Sequence, residues 1–501
     1  MKSSRLVLSL LAAAILSGCA AVGPDYQRPA IAVPAQFKEA APGWKVAAPA
    51  DTLHKGEWWL AYGDPVLNEL MAQLDANNQN VQLFLANFRR ARAAAEGARA
   101  GYYPTVSASG GTNRSRQNGN VNNRQTLSLD ASWEPDLWGR VSRSVEAGEA
   151  DTQASVANLA NARLSAQAEL VQDYVLLRIT DEQSRVTRST IDAYQRTLRV
   201  TRNQYEAGLV TRVDVATAES QVRSAEATLL GYELSRRQYE HAIAILVGRA
   251  PADFALVPNE FMPVLPAAPE ALPSTLLERR PDVASAERAA AAANANIGIA
   301  QAAFYPSLSL SGGIGGSAST IANLLSAPAR TWSLGASLAA SLFDGGLRQS
   351  QVDQAVASYD ASVAQYRQIV LQGFQEVEDN LSALDLLAQE AEKRQQALDA
   401  ARDAERLALN QYQAGLVDFT TVASAQITRF QAEIATLQVS GRRYTASALL
   451  VKALGGGWDG VMDSSAVAAG SLGSSSTSTS STVSNPTTSS SATSSPVTPP
   501  R

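Results

Sequence analysis

Four short stretches of the chain have the apolar and polar alternation of β-strands. Residues 126–133 and 332–338 alternate strictly, and residues 105–111 and 307–314 precede them, each directly after a proline. Successive side chains of a strand point to opposite faces, so we predict two hairpins, each with one apolar and one polar face. The apolar face of the first hairpin includes Leu127, Leu129, Ala131 and Trp133.

Long proline-free segments that are rich in Ala, Gln, Glu, Arg and Leu predict helices, because a proline inside a helix costs about 3 kcal/mol. Each segment is interrupted once, by the sequence Ala-Gly-Leu-Val. Gly208 and Gly415 stand in these turns, where a left-handed residue ends a helix. The longer helices would each extend about 100 Å at 1.5 Å per residue. The four predicted helices are 140–205, 213–247, 347–412 and 420–454.

The apolar positions of the helix at 347–412 step alternately by four and three residues. They are Val370, Phe374, Val377, Leu381, Leu384, Ala388 and Ala391. This is the spacing of a coiled-coil seam. The alternative is one amphipathic helix on a globular core, but such helices rarely exceed about 20 residues.

The chain repeats itself. The sequence AGYYPTVSASGG at 100–111 returns as AAFYPSLSLSGG at 302–313, and NQYEAGLV at 203–210 returns as NQYQAGLV at 410–417. A period of about 200 residues is too long for a solenoid, whose units have about 20–50 residues. We interpret it as a duplicated half that packs around a pseudo-symmetry axis.

The alternating strands fit two environments. An apolar-out, polar-in pattern is typical of a transmembrane β-barrel, but a solvated antiparallel sheet with one buried face alternates in the same way. Four strands cannot close a barrel, whose minimum is about eight. If the strands lie in a membrane, the protein must therefore be an oligomer.

The N-terminus has the pattern of an export signal. Lys2 and Arg5 precede a short apolar run at 6–16, and Cys19 follows small residues at a position where lipoprotein signals carry an acylated cysteine. A second interpretation is a buried thiol after an ordinary cleavage site. Cys19 is the only cysteine, so it cannot form a disulfide within the chain. Two or three acyl chains would anchor the protein stably.

Composition excludes several functions. Hydrophobic residues make up 45% of the chain, but no segment reaches the roughly 18 apolar residues of a membrane-spanning helix. The net charge is −5 and no Lys/Arg-rich block is present, so we expect no nucleic-acid partner. His54 and His241 are far apart, and neither has a second His or a Cys nearby in the sequence. We therefore predict neither an enzyme nor a cofactor.

Several short motifs, in a fixed order, resemble the TolC-type outer-membrane factor family, specifically the lipoprotein branch of resistance-nodulation-division (RND) efflux channels. Each motif is weak alone, and together they extend over residues 16–460. The motifs are Leu16 to Cys19, Gly23-Pro24-Asp25-Tyr26, Trp58-Trp59, Asp64-Pro65-Val66-Leu67, Tyr103-Pro104, Trp133-Glu134-Pro135-Asp136-Leu137-Trp138-Gly139-Arg140, the two Ala-Gly turns, Arg280-Pro281-Asp282-Val283, Leu342-Phe343-Asp344-Gly345-Gly346 and Ala453-Leu454-Gly455-Gly456-Gly457-Trp458.

The resemblance implies an α+β membrane protein. Three chains would form a homotrimer with a twelve-stranded β-barrel in the outer membrane of a Gram-negative bacterium, four strands per chain. A long periplasmic α-helical coiled-coil barrel and a mixed equatorial region would continue from it. The trimer would be the passive exit duct of a tripartite efflux system, together with a periplasmic adaptor and an inner-membrane RND-type pump. Acylated Cys19 would bind outer-membrane lipid.

The predicted domains follow from the repeat and the resemblance. They are a signal peptide at 1–18, an extended equatorial segment at 19–64, a first repeat at 65–250, a crossover linker at 251–280, a second repeat at 281–460 and a disordered Ser/Thr-rich tail at 461–501. Each repeat would contain a helix, a β-hairpin (103–134 and 306–343) and a long helical hairpin (140–248 and 346–454). The family usually ends soon after the position of Trp458, so the tail is a departure from it.

The residues at the two helical turns are the candidate site. Under three-fold symmetry each side chain becomes a ring, and carboxylate rings at a narrow aperture favour cations. The resemblance places a closed periplasmic gate and the adaptor-docking region at this end. The candidates are Tyr205, Arg212, Asp214, Tyr412 and Asp418. The alternative role of the two aspartates is to cap helices.

Two other functions stay open from the sequence. The chain could form a type I-like secretion duct for proteins or oligosaccharides, or a lipid-anchored coiled-coil scaffold without a pore. The transported substrate cannot be deduced from the sequence, because a duct wall contacts its cargo weakly.

Overall fold

The structure is a computed structural model that describes residues 21–34, 36–39, 57–259, 265–266 and 279–457. The predicted signal peptide, Cys19, most of the crossover linker and the tail at 461–501 lie outside these residues.

The described residues form two repeats that share a helix, two strands and a long helical hairpin, and the first repeat also contains one additional helix at its start. The first repeat contains α1 (Pro65–Asn77), α2 (Gln79–Arg99), β1 (Thr105–Gln117), β2 (Asn120–Trp133), α3 (Arg140–Glu206) and α4 (Arg212–Leu246). The second contains α5 (Pro281–Ala302), β3 (Ser307–Ala318), β4 (Arg330–Ala339), α6 (Leu347–Gln413) and α7 (Phe419–Ala453). Short 3-10 turns lie at Trp58–Tyr62, Ala100–Tyr102, Pro251–Asp253, Ile321–Asn323 and Ala327–Ala329.

The ends of the long helices agree with the predicted ends to within one residue. Gly208 (φ 75°) and Gly415 (φ 74°) have the left-handed conformation that ends α3 and α6. The strands extend beyond the alternating segments, with β1 ending at Gln117 and β2 beginning at Asn120. Both faces are polar in this outer part of the hairpin, so alternation stops there although backbone pairing continues.

The four strands form one antiparallel sheet in the order β1-β2-β3-β4. The pairing of β2 with β3 joins the two repeats, with Asp130 opposite Gly313. The polar face carries small side chains, and Ser109 and Ser128 hydrogen-bond across β1 and β2 at 2.8 Å between their Oγ atoms. The apolar side chains on the opposite face, among them Leu129, are exposed in the single chain.

The main core lies between α1 and the middle of α3. Leu67, Met71 and Leu74 of α1 are buried against Leu170 and Tyr174 of α3. A network of hydrogen-bonded polar side chains crosses this core. The Tyr174 hydroxyl donates to Asp64 at 2.5 Å, and the Arg178 Nε donates to the Tyr174 hydroxyl at 3.1 Å. Each polar group of this network has a hydrogen-bond partner, which limits the free-energy cost of burying it.

The N-terminal segment contacts the start of α3 in the first repeat and then packs along the second repeat. The Val22 amide donates to the Trp138 carbonyl at 3.0 Å, and the Tyr26 hydroxyl donates to Glu287 Oε1 at 2.6 Å. Further along, Phe37 is buried in a cluster with Val377, Leu381 and Leu450. The Lys38 and Glu39 amides donate to the Glu378 carboxylate at 2.7 and 2.9 Å. This segment therefore connects the end of the sheet with the middle of α6.

The predicted seam on α6 is present in part. Val370, Val377 and Leu381 are buried, and Phe374 and Leu384 are partly buried. Ala388 is exposed in the single chain. Burial resumes further down the helix at Leu398, Ala401 and Ala408. Among the described helices, none combines the length and apolar character that crossing a membrane requires.

Asp173 on α3 predicts a pH dependence of stability. Burial, with the Glu169 carboxylate adding to it, raises the pKa of Asp173 to about 6, from about 3.9 in an unfolded chain. The folded state holds this proton more tightly, so stability falls as pH rises from about 4 through about 6. Asp173→Asn should flatten the pH dependence of the unfolding midpoint across this window. An equal effect of Asp192→Asn, an exposed position of the same helix, would contradict this assignment.

Candidate functional site at the two helical turns

The two turns of the helical hairpins place the candidate residues at one end of the molecule. The turn between α3 and α4 contains residues 207–211, and the turn between α6 and α7 contains residues 414–418. Leu209 and Leu416 are each 75% exposed at the corresponding positions of the two turns. The described end of the molecule is therefore apolar at its outermost positions.

Both candidate aspartates cap helices. Asp214 accepts hydrogen bonds from the Thr211 amide and hydroxyl, both at 2.8 Å, within a capping box at the start of α4. Asp418 precedes α7 and accepts from the Thr421 amide at 3.0 Å. Hydrogen bonds from the Thr420 hydroxyl and then from Thr421 lower the pKa of Asp418. A role of these carboxylates in a gate stays a prediction.

Tyr412 connects the two helical hairpins. Its hydroxyl donates to Gln204 Oε1 of α3, and its ring packs edge-on against Phe419, with ring centroids 5.9 Å apart. Burial raises the pKa of the Tyr412 hydroxyl, and the nearby Asp214 carboxylate raises it further. The structure therefore brings Tyr412 and Asp214 together, although 198 positions separate them in the chain. Tyr205 and Arg212 are exposed at the same end.

A small apolar cluster holds the hairpins together beside this contact. Phe419 and Val422 of α7 are buried against Ala218 of α4. The Gln221 side chain of α4 donates to the Ala423 carbonyl of α7 at 3.1 Å. Sequence reasoning missed Gln204, Gln221 and Phe419. Gln204 lies inside the repeated NQY motif, and this repeat could have identified it as a candidate.

A second connection lies further from the turns. Arg429 of α7 forms ion pairs with Glu405 at 2.8 Å and Glu433 at 2.5 Å, and it donates to the Thr190 hydroxyl of α3 at 3.1 Å. Burial raises the pKa of Glu405. No sequence pattern indicated this contact, because ion pairs between helices depend on how the helices pack.

The described residues contain no group of three or more His, Cys, Asp and Glu side chains that could hold a metal ion. The contacts between the two hairpins at this site are hydrogen bonds and apolar contacts, and the ion pairs of Arg429 lie within the second hairpin.

Comparison with known proteins decides the family. The model of the outer membrane efflux protein family matches residues 70–249 and 272–456. The chain belongs to the outer membrane efflux protein family. The match includes both repeats, so the duplication found in the sequence is a feature of the family match as well.

Named relatives of this efflux protein have similar length. TtgC of Pseudomonas putida, a probable efflux pump outer membrane protein, is 32% identical over 479 residues, 91% of this chain and 96% of that protein. The pyoverdine export outer membrane protein OpmQ of Pseudomonas aeruginosa is 30% identical over 465 residues, 90% of this chain and 97% of that protein. SilC of Salmonella typhimurium, a probable outer membrane lipoprotein, is 28% identical over 459 residues, 90% and 98% of the two chains.

Solved channels of the family share the fold. The outer-membrane channel OprN has a TM-score of 0.79 and 30% identity, and the alignment covers 87% of this chain and 99% of that one. The open state of the Neisseria gonorrhoeae MtrE channel has a TM-score of 0.78 and 28% identity, with 89% and 100% coverage. The predictions of an outer-membrane efflux channel and of a passive channel rather than an enzyme are confirmed.

The hydrogen bond between Tyr412 and Gln204 predicts a change in gating. Tyr412→Phe keeps the ring against Phe419 but removes the hydroxyl. We expect the contact between the hairpins to weaken by about 1 kcal/mol, roughly a fivefold change in an equilibrium constant. Current recordings from single channels should show a larger open fraction. Tyr103→Phe is the control, since Tyr103 is 72% exposed and lies beside β1, outside the two turns, and the same gain there would refute the assignment.

The two aspartates predict a charge effect on conductance. Asp214→Ala combined with Asp418→Ala should lower cation preference, because it removes carboxylates from the predicted aperture. It should also raise single-channel conductance, because it removes hydrogen bonds that order the two turns. Asp214→Asn with Asp418→Asn separates charge from capping, since Asn also caps helices well. Unchanged conductance in both double variants would leave the carboxylates with their capping role only.

Proposed function

We propose that three copies of this chain close a twelve-stranded β-barrel in the outer membrane and continue as a helical tube into the periplasm. The trimer is the exit duct of a tripartite efflux system, and it passively conducts small molecules such as drugs or other toxic compounds. A periplasmic adaptor and an inner-membrane RND-type pump are its partners.

The open sheet is the observation that carries this proposal. Within the described residues of one chain, β1 and β4 pair with a strand on one side only. In hydrocarbon each unpaired backbone group costs several kcal/mol, so an isolated four-stranded sheet is unstable in the membrane. Copies placed side by side pair these edges and remove the cost.

The helices give a second indication of a neighbouring copy. α3 lies in the middle of the chain's packing and is buried along much of its length, whereas α6 exposes Val356, Leu371, Leu386 and Leu407. On the other side of the chain, α4 exposes Leu230 and Leu234. A second copy that covers these two helical surfaces also pairs the edges of the sheet.

A water-filled lumen sets the minimum number of copies at three. Two copies give eight strands, and an eight-stranded barrel is filled by its own side chains. Three copies give twelve strands around a wider interior. The polar face of the sheet, with Ser128, Asp130 and Ser311, supplies a water-compatible lining, and the apolar face meets lipid.

The lipid anchor fits the position of the N-terminal segment. Val22 hydrogen-bonds to Trp138, beyond the periplasmic end of β2. Cys19 precedes Val22 by three residues, which span at most about 10 Å. Acyl chains on Cys19 would therefore enter the bilayer beside the barrel. The relative SilC, named as a probable lipoprotein, supports this anchor.

The relatives support the class of cargo and the partners. Their names refer to toluene, antibiotics and pyoverdine, and to efflux pumps. The exposed Leu209 and Leu416 at the turns offer an apolar surface for the adaptor. A duct for proteins or oligosaccharides, and a scaffold without a pore, are the alternatives that an experiment must separate.

Reconstitution tests the proposal. The purified chain should have three times the monomer mass in mild detergent and should pass current across a planar lipid bilayer. A monomer without current would refute the trimeric duct, and a trimer without current would favour the scaffold. In cells that lack the chain, restored drug tolerance supports small-molecule efflux, and restored secretion of a polypeptide without restored tolerance supports the alternative duct.

A further inference from the structure

The two repeats match each other down to individual hydrogen bonds. The Asn78 side chain donates to the Leu246 carbonyl at 2.8 Å, where α4 ends. The Arg280 side chain donates to the Ala453 carbonyl at 3.0 Å, where α7 ends. Arg280 stands 202 positions after Asn78, and Ala453 stands 207 positions after Leu246. Two fixed offsets therefore relate equivalent positions before and after each β-hairpin.

A pair of glycines confirms both offsets independently. A Cβ atom on Gly248 would meet the Asn77 carbonyl oxygen, and a Cβ atom on Gly455 would meet the Arg279 carbonyl oxygen. Arg279 stands 202 positions after Asn77, and Gly455 stands 207 positions after Gly248. The same close approach of two backbones therefore recurs in both repeats.

The strands obey the same two offsets. Thr105 of β1 lies opposite Ser132 of β2, and Ser307 of β3 lies opposite Ala339 of β4. The first members of these pairs are again 202 positions apart, and the second members are 207 apart. The register of one hairpin therefore predicts the register of the other without error.

The seam between β2 and β3 has no equivalent inside one chain. Its equivalent under the two offsets joins β4 of one copy to β1 of the next. In the internal seam Thr126 lies opposite Ser317. The offsets move Thr126 to Ser333 and Ser317 to Ser115.

We infer that adjacent copies pair β4 with β1 antiparallel, with Ser333 of one copy opposite Ser115 of the next. The inference rests on the proposed assembly and adds to it the register of the strands between copies. The same register places Ser337 opposite Gly111 and Ala339 opposite Ser109.

The faces of the strands agree with this register by a separate criterion. Ser109 and Ser115 lie on the polar face of β1, and Ser333 and Ser337 lie on the polar face of β4. A shift by one residue would set the polar face of one strand against the apolar face of the other. The inferred register instead keeps the polar lining continuous across the boundary between copies.

The register also brings together two apolar residues that are exposed in the single chain, one just beyond β4 and one in β1. Leu342 is 96% exposed and Val106 is 60% exposed in the single chain. Continued by three residues past Ala339, the inferred register sets Leu342 beside Val106 of the next copy. Apolar surface at the base of the sheet would thereby be removed from water.

Disulfide cross-linking tests the register. Opposite residues of an antiparallel pair have Cα atoms about 4.5–5.5 Å apart, within the usual range of a disulfide. Ser115→Cys with Ser333→Cys, oxidised with Cu(II)–phenanthroline in the full chain in membranes, should give linked dimers and trimers on non-reducing gels. Reduction should return the monomer. Each single variant, which also retains Cys19, controls for other thiols.

Two out-of-register pairs on the same face are the matched controls. Asn113→Cys with Ser333→Cys is two residues out, and Ser115→Cys with Ser337→Cys is four residues out. Each two-residue displacement adds about 6.6 Å along the strand, so these pairs should link far less.

Stronger linking of either control than of the Ser115 and Ser333 pair overturns the register and leaves the trimer standing. A conducting trimer in which no pair links overturns the inferred strand pairing, whereas a monomer without current refutes the proposed duct itself.

Discussion

The proposed barrel depends on one constraint, the need to satisfy backbone hydrogen bonds in hydrocarbon. Water cannot satisfy an amide or carbonyl inside the bilayer, so each strand there needs a neighbour on both sides. One chain satisfies this need for β2 and β3 but leaves one edge of β1 and one edge of β4 without a partner strand among the described residues. The proposed trimer meets this requirement, because neighbouring copies supply partner strands for β1 and β4.

Because of the duplication, the same kind of strand contact can meet this requirement within one chain and, in the proposed trimer, between chains. The contact between the two repeats of one chain and the proposed contact between two chains would use equivalent surfaces. The reason is that strand registers and helix-end contacts recur at fixed offsets in the two repeats. Asn78 and Arg280 are equivalent positions that have kept the same hydrogen bond although the residue has changed. The side chains differ, but each still donates to the last carbonyl of the returning helix.

Local signals made most of the fold predictable. The ends of α3 and α6 follow from Gly208 and Gly415, because a left-handed residue is a local property of the backbone. The full length of β1 was not predictable, since both faces are polar beyond Gly111. At the candidate site, Asp214 and Asp418 could be predicted as caps from spacing alone. The contact between Tyr412 and Gln204 could not, because it depends on how two separate hairpins pack.

The N-terminal segment has a consequence for the time course of folding. Tyr26 bonds to a residue 261 positions away, and the Lys38 amide to one 340 positions away. Contacts between such distant positions form slowly, because a long loop must close first. The first part of the chain to emerge from export is thus among the last to dock. Until then the surfaces of α5 and α6 around Glu287 and Glu378, which this segment contacts, stay exposed to water.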